Sequence, residues 1–364
     1  MKICLLTRSF SLKGGGIGRV SAGIRDGLRR QGHEVHTIST EGEGLVSYFK
    51  YTLLDIPFRI PSGMDIYHAV TPLESIWIPK DRGISIILDI IALTHPGKYG
   101  GRWGFGNGKG IVTFHDLFTM THPKYLGAGL GYSKLKSFIG QTYFGFACKQ
   151  AIKCKYIVTV SEHVKQEVIR HFGVDSEKIR VIKSGIREDL EPKPKQDTVF
   201  RLGYLGQLDR RKRIDLLIEA FRKSKLDELV IGGVGLDEPL LKKQAEGDSR
   251  IKFLGLVPDD KLVDFYNSLD VFVFPTAIEG YGLPPVEAMA CGKPTIVLHD
   301  AVIPWEVKSR CIIVKDLEMT LGNKSYVERL CKSVNYDSNY NFAKEHNWNR
   351  CIDEYVELYE EVTG

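Results

Sequence analysis

Short, nearly continuous apolar runs alternate along this chain with amphipathic stretches, and the alternation persists almost from end to end. Strands buried in a parallel sheet read as such runs, and the helices that cover the sheet read as such stretches. Ile3-Cys-Leu-Leu-Thr7 is predicted as a strand. It leads into a glycine loop, Lys13-Gly-Gly-Gly-Ile-Gly18, an amphipathic helix from about Val20 to Arg30 that stops at Gly32, and a second strand, Glu34-Val-His-Thr-Ile-Ser39. Asp65-Ile-Tyr-His-Ala69, Gly110-Ile-Val-Thr-Phe114, Tyr156-Ile-Val-Thr-Val160 and Arg180-Val-Ile-Lys183 continue the same sheet.

Glu191-Pro-Lys-Pro-Lys-Gln-Asp197 interrupts the pattern as a linker, with two prolines and mixed charge. The alternation then restarts. Strands are predicted at Phe200–Leu205, Glu228–Gly232, Ile251–Leu254, Val271–Phe274 and Pro294–Leu298, with a helix over Arg213–Lys223. The fold class is therefore α/β: two doubly wound, Rossmann-like parallel-sheet domains, expected to face a central cleft. Ligands on such sheets bind beyond the strand C-termini. A final helix, Asn347–Val362, carries an aromatic and apolar stripe of Trp348, Ile352, Tyr355, Leu358 and Tyr359, read as a packing face.

A length of 364 residues agrees with two domains rather than one core. Met1–Arg8 reads as a first strand, not a charged leader, and no apolar run is long enough to span a bilayer. The seven cysteines are widely spaced with no C-x-x-C, which argues against a disulfide framework or zinc site and makes a reducing cytoplasm the default; Cys291 reads as a small buried residue. Charge is uneven. Residues 1–190 hold 26 Lys and Arg against 16 Asp and Glu, and residues 191–364 hold 24 against 29. A basic first half suits a lipid headgroup, a lipid phosphate or nucleic acid, or is an uneven solvated surface. Gly127–Lys155 mixes Phe138, Tyr143, Phe144 and Phe146 with Lys134, Lys136, Lys149, Lys153 and Lys155, which suits either a helix at a membrane surface or a core-facing helix with a basic outer face.

The chemistry concentrates in Phe274-Pro-Thr-Ala-Ile-Glu-Gly-Tyr-Gly-Leu-Pro-Pro-Val-Glu-Ala-Met-Ala-Cys-Gly-Lys-Pro-Thr-Ile-Val297, which reads as strand, glycine turn, helix, glycine stop, strand. Glu279 and Glu287 flank the start of the helix. Such a terminus attracts phosphate, whereas a carboxylate beside an anion is unfavourable unless it takes hydrogen bonds from hydroxyls. A ligand with both phosphate and sugar hydroxyls satisfies both. Gly280 and Gly282 allow close backbone approach, and Pro284 and Pro285 suit a first helical turn.

Glu279-Gly-Tyr-Gly-Leu-Pro-Pro-Val-Glu287 resembles the E-x7-E signature of the family 4 retaining glycosyltransferases, a group with the GT-B fold that includes glycogen synthase-like and mannosyltransferase-like members. Gly15-Gly-Ile-Gly-Arg19, His115-Asp116, Val158-Thr-Val-Ser-Glu162, Tyr204–Lys212 with Asp215–Phe221, Phe253–Val257 and Asp270–Pro275 resemble further family motifs in the same order, across nearly the whole chain. The resemblance implies that residues 1–190 form an acceptor-side domain and residues 191–346 a nucleotide-sugar-binding domain. The helix over 347–364 can then cross back to the first.

It also implies roles. Glu287 would bind ribose hydroxyls and Glu279 hydroxyls of the transferred sugar. Lys212 would neutralise the diphosphate. Backbone at Tyr281, Gly282 and Leu283 would contact the donor near its phosphates, His115 would sit by the donor sugar, and Gly16 would let the first loop approach it. Gln207 stands where many members carry arginine, and a neutral amide gives neither charge nor a bidentate grip. Arg210 or Arg211 are candidates to replace it, or both are solvated surface; Gln207 and Arg211 are placed in the donor-binding set. Arg213 replaces a common glycine. Ser161 is read as a helix cap, and Asp116 as an orienting or turn residue.

The expected function is retaining transfer of a hexose, mannose or glucose-type, from a GDP- or UDP-sugar to a saccharide or lipid-linked acceptor. No D-x-D tripeptide occurs in the chain. No metal and no prosthetic group are expected, since cations and N–H dipoles supply the positive charge. The expected location is cytoplasmic, peripheral to the inner face of the membrane, with no nucleic-acid partner. The alternatives are a non-catalytic scaffold subunit of the same fold, favoured by Gln207, and a sugar-nucleotide epimerase, disfavoured by the E-x7-E segment.

Overall fold

The computed structural model describes residues 1–10, 15–40, 50–51, 55–72, 74–77, 110–115 and 145–364. Asp116, most of the acceptor-side segment 71–109 and residues 127–144 of the aromatic and basic stretch lie outside them. The described chain forms two compact units: residues up to Gly185 together with Trp348–Gly364, and Ile186–Asn347.

The first unit holds β1 (Lys2–Leu6), β2 (Glu34–Ile38), β3 (Ile66–Ala69), β4 (Gly110–Phe114), β5 (Tyr156–Thr159) and β6 (Ile179–Val181) in the order β2-β1-β3-β4-β5-β6, every pair parallel. β3 and β4 are buried along their whole length, as a sheet covered on both faces requires. Helix α1 spans Gly15–Arg30, so the expected glycine loop is partly helical: Gly16 sits in the first turn of α1 rather than in a loop. Its Val20, Ile24 and Leu28 recur on one face and are buried. Helix α2 (Glu162–Phe172) starts at Ser161, whose Oγ accepts from the Val164 amide at 3.1 Å, as its reading as a cap anticipates.

The C-terminal helix, α10 (Trp348–Thr363), packs on α1 within this unit. Its Ile352, Tyr355, Leu358 and Tyr359 are buried, so the stripe is a packing face. The approach depends on two glycines one turn apart: a Cβ on Gly23 would lie 2.4 Å from the Trp348 ring, and one on Gly27 would lie 2.3 Å from Ile352. The helix over 145–151 buries Ala147, Cys148 and Ala151 and leaves Lys149 exposed. Lys155 Nζ donates to the Val362 carbonyl at 2.9 Å, at the C-terminal end of α10, where a cation is favoured.

The second unit holds β7 (Arg201–Leu205), β8 (Glu228–Gly232), β9 (Ile251–Gly255), β10 (Val271–Phe274), β11 (Thr295–Leu298) and β12 (Ile312–Val314) in the order β12-β11-β10-β7-β8-β9, again all parallel. The order reverses between β7 and β10. In such sheets this is where the crossover helices diverge to opposite faces and leave a crevice beyond the strand ends. Helix α3 (Ile214–Lys223) follows β7, α4 (Glu238–Ala245) follows β8, α5 (Leu262–Ser268) precedes β10, and α6 (Leu283–Ala290) joins β10 to β11. Helices α7 (Leu317–Leu321), α8 (Lys324–Lys332) and α9 (Tyr336–Lys344) complete the unit. The expected linker over 191–197 has no regular structure and is pinned to this unit: Lys195 pairs with Asp270, and the Lys193 amide donates to Asn267 Oδ1 at 2.7 Å.

Candidate functional site

The two strands that meet at the reversal deliver the two segments singled out by the sequence. β7 runs into Gly206–Asp209, a tight turn over Arg210–Lys212, and α3. β10 runs into Pro275–Gly282 and α6. The loops are joined by backbone and side chain alike: the Ala277 amide donates to the Arg211 carbonyl at 2.8 Å, and Arg211 Nη1 donates to the Ile278 carbonyl at 2.9 Å.

Glu279 is the centre of this junction. Lys212 Nζ donates to its Oε1, Arg211 Nη1 lies 3.1 Å from its Oε2, and Thr276 Oγ1 donates to Oε1 at 2.7 Å. The side chains of Lys212, Arg211 and Glu279 are only 9%, 10% and 14% exposed. Burial alone would push the Glu279 carboxyl up, but the charges of Lys212 and Arg211, with hydrogen bonds from Lys212 and Thr276, outweigh it and hold the group down at about 2. Burial, then the neighbouring Arg211, lowers the Lys212 ammonium from its ordinary range, against the pull of Glu279. Arg211 also lies 3.5 Å from Asp209 Oδ2, so two cations meet two carboxylates here, with Glu279 held between both cations.

Helix α6 begins beside this cluster in the chain. Gly282, at its N-cap, has φ +95°, a left-handed conformation natural to glycine, and no side chain caps the helix start. Pro284 and Pro285 fall within the first turn, and neither has an N–H. This sharpens the expectation of a phosphate-binding helix end: the N–H groups without an intrahelical partner at this terminus come from Gly282 and Leu283 alone. Glu287, in the second turn, is 2% exposed, and its Oε2 accepts from Tyr266 Oη of α5 at 2.6 Å. Its charge also reaches Arg187, which is held by Asp189. Tyr281 points its side chain into the unit, where its hydroxyl hydrogen-bonds His346 Nε2. At that position it is the backbone that remains for a ligand.

Gln207 is exposed, and its carbonyl accepts from Tyr204 Oη at 2.9 Å. Arg210 is exposed too, whereas Arg211 is buried against Glu279, so of the two candidates only Arg211 joins the cluster. His115 and Gly16 belong to the first unit. His115 follows β4, with Nε2 3.1 Å from the Val70 carbonyl, and burial holds its pKa down at about 4 against that hydrogen bond. It is therefore neutral at pH 7 with its proton on Nε2, leaving Nδ1 as the acceptor. Below it, His68 bridges Tyr359 Oη of α10 at 2.7 Å and Thr113 Oγ1 of β4 at 2.8 Å. Cys291 is 1% exposed, and burial pushes its thiol up to about 12.

Sequence reasoning missed Thr276 and Tyr266, and read Arg213 only as a departure from a common glycine. Thr276 lies three residues before Glu279, the spacing at which a threonine hydroxyl reaches a following carboxylate. Tyr266 lies on a different helix from Glu287, and no local pattern links them.

Two family models match in tandem. One described as "Glycosyltransferase Family 4" covers residues 14–190, and one described as "Glycosyl transferases group 1" covers residues 185–309. The chain belongs to the family 4 glycosyltransferases, which have the GT-B fold. Curated proteins resemble the chain at moderate identity. O-antigen chain mannosyltransferase B of Escherichia coli is 25% identical over 229 residues, covering 56% of this chain and 60% of that protein. O-antigen chain mannosyltransferase RfbU of Salmonella typhimurium is 33% identical over 168 residues, covering 44% of this chain and 47% of that protein. The matches thus span roughly half to three-fifths of those relatives' own length. Among solved structures, HepE of Anabaena, determined in complex with UDP and glucose, superposes with a TM-score of 0.67 over 99% of both chains at 16% identity, a likeness of fold.

Proposed function

We propose that this family 4 chain is a hexosyltransferase that takes a mannose or glucose-type sugar from GDP- or UDP-hexose and passes it, with retention, to a saccharide or lipid-linked acceptor. The observation that carries the reading is Glu279 held ionised between Lys212 and Arg211 at the reversal of the second sheet. Lys212 and Arg211, with the amides of Gly282 and Leu283, would take the diphosphate. Glu279, relieved of part of its cationic load, would accept hydrogen bonds from sugar hydroxyls, and Glu287 from the ribose.

Departure of the nucleoside diphosphate breaks the bond from the anomeric carbon to the phosphate oxygen, and the electron pair leaves with the phosphate. Preorganised cations there lower the barrier because they bind the departing charge more strongly than the ground state. Retention is compatible with a front-face route. The acceptor oxygen bonds the anomeric carbon from the side the phosphate leaves, and the acceptor proton passes to a phosphate oxygen. Metal independence is compatible with Lys212 and Arg211 supplying the charge. His115, neutral with an accepting Nδ1, suits a hydrogen bond from a sugar hydroxyl. The mannosyl preference draws on the O-antigen relatives, and the UDP option on the HepE complex.

A non-catalytic scaffold is the weaker reading. Gln207 favours it, but a buried Arg211 beside Lys212 restores the charge that Gln207 lacks. Among the described residues no helix is long and apolar enough to cross a membrane. Peripheral contact with an anionic cytoplasmic membrane face would rest on exposed lysines such as Lys149 and Lys153. A thermal-shift screen against UDP-, GDP- and ADP-sugars tests the donor assignment: a ligand at a hundredfold excess over Kd stabilises the fold by about 2.7 kcal/mol. A melting temperature indifferent to all of them contradicts the proposal.

A further inference from the structure

Arg213 occupies an unusual place. Its φ is +52°, and among the described residues it is the only non-glycine with a positive φ. A Cβ disfavours that conformation, so something must hold it there. The side chain supplies the reason. Arg213 Nε donates to the Pro275 carbonyl at 2.8 Å, Nη2 to the Thr276 carbonyl at 2.8 Å, and Nη1 to Asp300 Oδ2 at 2.7 Å. Its side chain is 15% exposed. Hydrogen bonding to Arg213 also lowers the Asp300 carboxyl from its ordinary range.

The planar guanidinium is the one side chain able to span two consecutive carbonyls while a third nitrogen meets a carboxylate. The two carbonyls open the loop that carries Glu279. Beyond them the loop is tied on both sides: Ala277 donates to the Arg211 carbonyl and accepts from the Val302 amide at 2.8 Å, and Glu279 donates to the Val302 carbonyl at 2.9 Å. Thr276, whose carbonyl Arg213 grips, sends its hydroxyl to Glu279.

We propose that Arg213 is a positioning residue: its guanidinium clamps the Pro275–Thr276 backbone and thereby fixes where Glu279 meets Lys212 and Arg211. The left-handed turn is what aims the Arg213 side chain back across the loop. The consequence for catalysis rests on the reading of Lys212 and Glu279 as the donor site, whereas the clamp itself is a property of the free protein.

The test is backbone hydrogen exchange at Ala277 and Glu279 in the ligand-free full chain, comparing the parent with Arg213→Gly and Arg213→Asn. Glycine and asparagine both tolerate a left-handed φ, so the turn survives while the clamp is lost. Both variants should exchange about tenfold faster at these amides, with an unchanged global melting temperature. Exchange that is unaltered in both, or faster in only one, overturns the proposal. Should both variants lose a cooperative melt, Asp300→Asn decides in the same way, with a smaller acceleration expected at the same amides and none overturning it. Turnover of UDP-glucose and GDP-mannose by the same variants separates the two ideas. A parent that binds neither removes the donor reading and leaves the exchange result standing, while an active parent should lose kcat when the clamp is cut.

Discussion

The two units place different electrostatics at the ends of similar sheets. In the second, Lys212 and Arg211 are buried as charges around the half-buried Glu279, whose ionised form they stabilise. In the first, the buried His68 and the half-buried His115 are neutral rings: desolvation lowers them to about 3 and about 4, and their partners are a tyrosine, a threonine and a carbonyl. Fixed cations suit an anionic ligand, whereas neutral donors and acceptors avoid the cost of burying an unpaired charge.

The contrast has a consequence in pH. The histidines have folded pKa values below the ordinary 6.5, so the unfolded chain takes up their protons first. Stability is therefore intact above pH 6.5 and is lost as pH falls through the window down to about 4 for His115 and about 3 for His68. Glu279, lowered from 4.5 to about 2, contributes stability that is present above 4.5 and lost only as pH falls toward 2. The largest expected effect is the histidine one, on the order of 3 kcal/mol from His68 across pH 6.5 to 4.5. Melting curves should show the parent weakening between pH 6.5 and 4.5 and His68→Gln weakening less. A flat parent profile across that window would break the contrast.

Next in size is Lys212→Ala, which should lower turnover of the sugar nucleotide by about two orders of magnitude, or about 2.7 kcal/mol of transition-state stabilisation. Initial rates settle it, and an unchanged kcat removes Lys212 from the site. The smallest is Tyr266→Phe. Losing the hydroxyl that holds Glu287 should weaken nucleoside diphosphate binding about fivefold, or about 1 kcal/mol, with kcat for bound donor little changed. A calorimetric Kd equal to the parent's would detach Glu287 from the ribose.

Much of this architecture could be read from the chain. Gly110–Phe114, Glu228–Gly232 and Val271–Phe274 are strands with the bounds expected, because apolar runs that short and pure have no other stable use between helices. The start of α1 was misjudged because Gly14, Gly15 and Gly16 read as a loop, whereas the helix begins at Gly15. β12 was missed because Ile312–Val314 is too brief to show a period.

At the candidate site, the local motif revealed Glu279 and Lys212 separately, but not that they pair. They lie 67 residues apart, and only the reversal of strand order brings β7 beside β10. Arg213 was legible only as a departure from glycine, since neither its left-handed backbone nor its reach to Pro275 and Thr276 has a sequence signature.

The proposed grip of Lys212 and Arg211 on a diphosphate is tested by calorimetric titration of UDP and GDP into the parent and into an Arg211→Gln, Lys212→Met double variant. The expected result is measurable binding of one nucleotide by the parent and a loss of about a hundredfold in the double variant, with Glu279 left unpaired by either cation. Equal affinity in the two proteins, or no binding by the parent, would contradict the claim.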